Sequence, residues 1–69
     1  MDDVEKIIYA DASQPAWLNN GNEKVLCLTL QEAVIAWRRL LDRERERATV
    51  SLRDGTVYSA SEIERLHKK

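Results

Sequence analysis

Between residues 29 and 47 the apolar positions recur every three or four residues. Leu30, Ala33, Val34, Trp37, Leu40 and Leu41 fall on one stripe when successive positions are set about 100° apart, the spacing of a helix that faces a core. The pattern predicts a single amphipathic helix over 29–47. Thr29 and Glu32 stand at capping-box spacing, so the hydroxyl can accept from the third successor's N–H while the carboxylate reaches back. Loss of Thr29 should cost about 1 kcal/mol. Beyond Leu41 the signs alternate through Asp42, Arg43, Glu44, Arg45, Glu46 and Arg47, and with little left to bury this end is expected to project into water. Pairs three apart there, Arg43 with Glu46 and Glu44 with Arg47, would each add about 0.2–0.5 kcal/mol.

A second pattern alternates in twos. Residues 48–59 form two such runs joined by Asp54 and Gly55, which suit a two-residue type I′ turn. Counting outward pairs Leu52 with Val57, Ser51 with Tyr58 and Val50 with Ser59. Val50, Leu52 and Val57 then face inward, and Tyr58 stands on the polar side with Thr49, Ser51, Arg53 and Thr56.

The remaining stretches carry weaker patterns. Residues 4–10 read as a strand, apolar on both faces, and the short apolar run 25–28 as a central strand covered on both sides. Residues 11–24, with Pro15 and the cluster Asn19, Asn20, Gly21, Asn22, read as a long loop, in which Trp17 and Leu18 either cap the core or make a surface contact. Residues 61–69 read as a short docked helix whose start is set by Ser59 with Glu62 or Ser61 with Glu64, and whose basic end, His67, Lys68 and Lys69, complements the dipole. The order is ββαββα. It implies an α+β fold: a mostly antiparallel sheet with one long amphipathic helix across one face and a short C-terminal helix.

Composition narrows the class without naming a chemistry. Sixty-nine residues, 43% hydrophobic and 33% charged, make one small folded domain, 1–69, near the lower limit for a self-sufficient core. The formal charge of −1, with acids and bases interleaved, offers no overall steering to nucleic acid or anionic lipid. No apolar run reaches the roughly 18 residues of a membrane span, and the start, Met1, Asp2, Asp3, is acidic where a secretory signal is basic, so a cytoplasmic protein is expected. A lone Cys27 agrees with a reducing compartment and, inside an apolar run, reads as a small hydrophobe.

Candidate chemistry is sparse. His67 lies forty positions from Cys27, the two glycines do not form a phosphate loop, and no carboxylate or histidine spacing suits a metal, cofactor or catalytic pair. No catalytic residue, metal ligand, cofactor or small-molecule ligand is therefore assigned. The expected role is a protein-interaction module that binds a protein partner or a second copy of itself, a homodimer being one version. Its candidate contact residues are Trp17, Ile35, Arg38, Arg39 and Tyr58, with Ile35 opposite the core stripe and the aromatics on a sheet face that one helix leaves bare. The alternative is nucleic-acid binding through the arginine-rich helix or the aromatic sheet face. It is disfavoured because Asp42, Glu44 and Glu46 would neutralise a phosphate-tracking stripe.

Overall fold

A computed structural model describes residues 7–68 as an α+β arrangement in which one helix lies across an antiparallel sheet. The elements are β1 (Ile8–Ala10), β2 (Ala16–Asn20), β3 (Glu23–Cys27), α1 (Leu30–Arg38), α2 (Asp42–Arg47), β4 (Thr49–Leu52), β5 (Val57–Tyr58), α3 (Ala60–Glu64) and β6 (Leu66–Lys68). Four strands form the main sheet in the order β3-β2-β4-β5, and β1 pairs in parallel with β6 as a separate ribbon. The expected ββαββα order thus expands by a strand in the first half, a divided helix and a closing strand. Residues 4–6 of the first expected strand lie outside the described residues.

The stretch expected as a loop holds a hairpin instead. Its loop residues are Gly21 and Asn22, and only Gly21 has positive φ, +63°, as a type II′ turn requires. The flanks alternate: Ala16 and Leu18 point into the core, while Trp17 and Asn19 point the other way. β3, expected at the centre of the sheet, is its edge, and only Cys27 among its residues is buried.

The helix is two helices. α1 begins as its residues require: Thr29 Oγ1 accepts the Glu32 N–H at 3.1 Å, and the carbonyls of Gln14 and Ala12 accept the N–H groups of Leu30 and Gln31. It ends at Arg38, where the N–H groups of Arg39 and Leu40 reach back only three residues, to Ala36 and Trp37. Leu41 then adopts extended geometry ahead of α2, and its N–H donates to Glu44 Oε1. Leu41, assigned to the core stripe by periodicity, is 72% exposed, because the break carries it off that stripe.

The break has a visible cause at Trp37. Its ring is 98% covered, and its Nε1–H donates to the Arg45 carbonyl at 3.1 Å. A straight continuation would carry that carbonyl along the axis, about 12 Å beyond Trp37 at 1.5 Å per residue. A buried indole N–H without an acceptor is costly, so the chain turns back. Arg45 closes the corner, with its guanidinium over the Trp37 ring, paired with Asp42 and donating to the Arg38 carbonyl. The charged end therefore folds over the core instead of projecting away, and its ion pair is Asp42 with Arg45.

The hairpin from β4 to β5 is present with a shifted register. Val50 opposes Tyr58 and Ser51 opposes Val57. Leu52 and Thr56 close a three-residue loop in which Gly55 takes φ +96°. One extra loop residue exchanges the two faces of β5. Tyr58 joins the core side, half-buried, and Val57 turns outward.

The C-terminal helix ends at Glu64. Ser59 N–H donates to Glu62 Oε1 at 2.9 Å, which selects Ser59 over Ser61 as its start. The chain then extends as β6, where Leu66 and His67 sit beside Ile8 and Tyr9 instead of completing a helical turn. The core gathers Leu18, Leu30, Trp37, Val50, Leu52 and Ile63 around the fully buried Ala16, Ala33 and Ala48, small residues that let helix and sheet approach closely.

Candidate interaction surface

Because α1 packs on the side of the sheet that carries Ala16, Leu18, Val50 and Leu52, the register determines what the other side presents. Opposing residues point to the same face in an antiparallel pair. Leu26, Trp17, Ser51 and Val57 therefore stand in one row across all four strands, on the face away from α1. The next row holds Lys24, Asn19 and Thr49. Leu26 is 58% exposed and Val57 56%, with Trp17 half-buried between them.

Polar contacts tie neighbouring strands together on this face. The Asn19 side-chain amide donates to Thr49 Oγ1 and Ser51 Oγ, both at 3.2 Å, tying β2 to β4. The Lys24 ammonium lies 5.7 Å from the Trp17 ring centroid, a cation–π contact worth about 0.5–1 kcal/mol at an exposed site. Trp17, Lys24, Ser51, Arg53, Gly55 and Val57 line a shallow hollow of about 420 Å³ beside the β4–β5 turn. At that turn the Asp54 carboxylate accepts the Thr56 N–H at 2.9 Å, and this bond holds its pKa below the usual carboxylate value.

The five residues singled out from the sequence do not form one surface. Trp17 belongs to the bare sheet face. Ile35, Arg38 and Arg39 lie on the opposite side of the molecule, exposed on α1 and its end at helical spacing. Ile35 also borders a cleft of about 150 Å³ between α1 and the β1–β6 ribbon, with Ala10, Leu30, Val34 and Leu66 among its walls. Tyr58 packs against the core, where burial first, and then the charges of Asp54 and Glu62, push its phenol pKa upward.

Leu26, Lys24 and Val57, which the sequence did not single out, share this face with Trp17. The Gly21-Asn22 pair between two alternating runs was the available signal for the first two, since it specifies a two-residue hairpin loop. Val57 had no local signal, because its face depends on the length of the Gly55 loop.

Other chemistry gains little from the geometry. Cys27 is buried at the end of β3, and its thiol pKa is raised by burial and by the nearby Glu32 charge, the reverse of an activated nucleophile. Among the described residues no group of three or more His, Cys, Asp or Glu could hold a metal ion, and no helix is long and apolar enough to cross a membrane. Compared with protein-family models, curated proteins and solved structures, the chain matches none.

Proposed function

We propose that this chain is a cytoplasmic protein-interaction module that acts by binding and not by catalysis, and that it docks through the bare face of its four-stranded sheet. One observation carries the reading: the continuous row Leu26, Trp17, Ser51, Val57, uncovered by any element among the described residues. Scattered exposed aliphatics need no explanation, but a row that sets Leu26, Trp17 and Val57 on one sheet face, interrupted only by the small Ser51, is the kind of patch that partners cover. An indole beside Leu26, with Val57 beyond Ser51 and Lys24, Asn19 and Thr49 in the next row, also matches the anatomy of a contact surface. The arginine-rich segment supports the nucleic-acid alternative less well in three dimensions than in one. The corner at 39–41 separates Arg38 and Arg39 from Arg43 and Arg47, and Arg45 is engaged by Trp37 and Asp42.

Site-specific photocrosslinking in cells tests the reading. A benzoylphenylalanine at position 57 should give discrete protein adducts, including a covalent dimer if the chain binds itself, while the same group at position 43 should give none of them. Equal adduct patterns at both positions, or none at 57, would defeat it.

A further inference from the structure

We infer that the occupant of the bare sheet face is an acidic peptide segment, an extended stretch with an apolar side chain set between carboxylates; this rests on the reading that the face is a docking surface. The argument is one of charge. The hollow beside Trp17 is lined by two cations, Lys24 and Arg53, and by no carboxylate, although the chain as a whole carries a formal charge of −1. Asp54, between Arg53 and Gly55 in the turn, does not line the hollow, and its charged carboxylate accepts the Thr56 N–H of its own turn. The lining of the hollow is therefore basic beside Trp17 and Val57, on a molecule that carries a slight net negative charge.

That arrangement selects among occupants. A second copy docking face to face would bring Lys24 and Arg53 against the same two cations, a juxtaposition that complementary interfaces avoid. A single-stranded nucleic acid would satisfy the cations but needs aromatic platforms for its bases. Among the described residues this face offers Trp17 alone, since Tyr58 lies on the core side. Aliphatic neighbours, Leu26 and Val57, suit an apolar side chain better than a stacked base. An apolar anchor against Trp17 with carboxylates reaching Lys24 and Arg53 meets all three features of the site.

Panning a random heptapeptide library against the folded protein tests this, with Trp17→Ala and Lys24→Glu proteins as controls and the buried Trp37 emission as a check that each is folded. The expected result is enrichment of peptides with Asp or Glu beside a large apolar residue. Their binding should vanish in Trp17→Ala, weaken by about tenfold in Lys24→Glu, and weaken with added salt. Enriched peptides without acidic residues, or binding that Lys24→Glu leaves unchanged, would overturn the acidic occupant while leaving the face as a docking surface. So would a protein that dimerised in light scattering and lost the dimer on Val57→Asp. Trp17-dependent binding of an oligouridylate, or no Trp17-dependent peptide at all, would overturn both.

Discussion

The indole N–H of Trp37 donates to the backbone carbonyl of Arg45, eight residues further along the chain, and the Arg45 guanidinium returns to cover the same ring. This exchange turns one expected helix into a corner. α2 lies beside α3, and among the described residues no helix covers the far side of the sheet.

Removing the donor while keeping most of the ring should weaken that corner. Trp37→Phe leaves the Arg45 carbonyl without its partner and is expected to cost about 1 kcal/mol or more, lowering the melting temperature by about 4–8 °C in a domain of this size. Trp37→Ala, which also opens a cavity, should cost about 3–5 kcal/mol and leave little cooperative structure. A thermal melt followed by circular dichroism measures both. A phenylalanine variant as stable as the parent would mean that the indole hydrogen bond does not hold the turn.

Leu41 separates a broken helix from a continuous one. It precedes α2 with extended backbone and is largely exposed, so Leu41→Ser supplies a hydroxyl cap where none exists. The gain should be about 0.5–1 kcal/mol. In an unbroken helix the same change would replace a good helix former by a poorer one and lower stability. The sign of the shift in a urea denaturation midpoint decides between them.

The register of the β4–β5 hairpin has an equally direct readout. With Val57 outward and Tyr58 against the core, Val57→Lys should change stability by no more than about 0.5 kcal/mol, whereas Tyr58→Lys should cost about 2 kcal/mol or more. A two-residue turn would reverse the order. Melting the two variants side by side measures the difference, and a tolerant position 58 would sink the three-residue loop.

Alkaline pH should destabilise the protein before it damages it. The pKa values of Cys27 and Tyr58 are both raised above their ordinary values of 9.0 and 10.0, chiefly by burial. The folded chain thus holds these protons more tightly than the unfolded one. Their contribution is complete below about pH 9 and is lost as pH climbs through the raised values. Urea midpoints across the range from neutral to strongly alkaline pH should fall, and fall less in Cys27→Ala. The same burial should make Cys27 react slowly with a thiol reagent at neutral pH and at an ordinary rate in denaturant. Rapid labelling of the native protein would contradict the buried placement.

What lay open to reading in the chain was whatever acts over a turn or two. The stripe Leu30, Ala33, Trp37 marked the covered face of α1, Thr29 with Glu32 its start, two candidate starts two residues apart the beginning of α3, and Gly55 a reversal of direction. Each of these works through a partner within four residues, so the local order of residue types suffices. The α+β class and the helix across an antiparallel sheet followed from them.

The candidate surface was legible only in part. Trp17 was singled out, but its neighbours depend on a β2–β3 hairpin that the cluster Asn19, Asn20, Gly21, Asn22 disguised as a loop. The tertiary structure decided the rest: the corner at 39–41, the faces of Val57 and Tyr58, the edge position of β3 and the parallel pairing of β6 with β1. The reason is that these depend on groups far apart in the chain. A buried N–H must find an acceptor eight residues away, and Ile8 must meet Leu66 across almost the whole sequence. Periodicity shows which residues seek cover; only the assembled layers determine which of them receive it and which, like Leu26 and Val57, stay exposed.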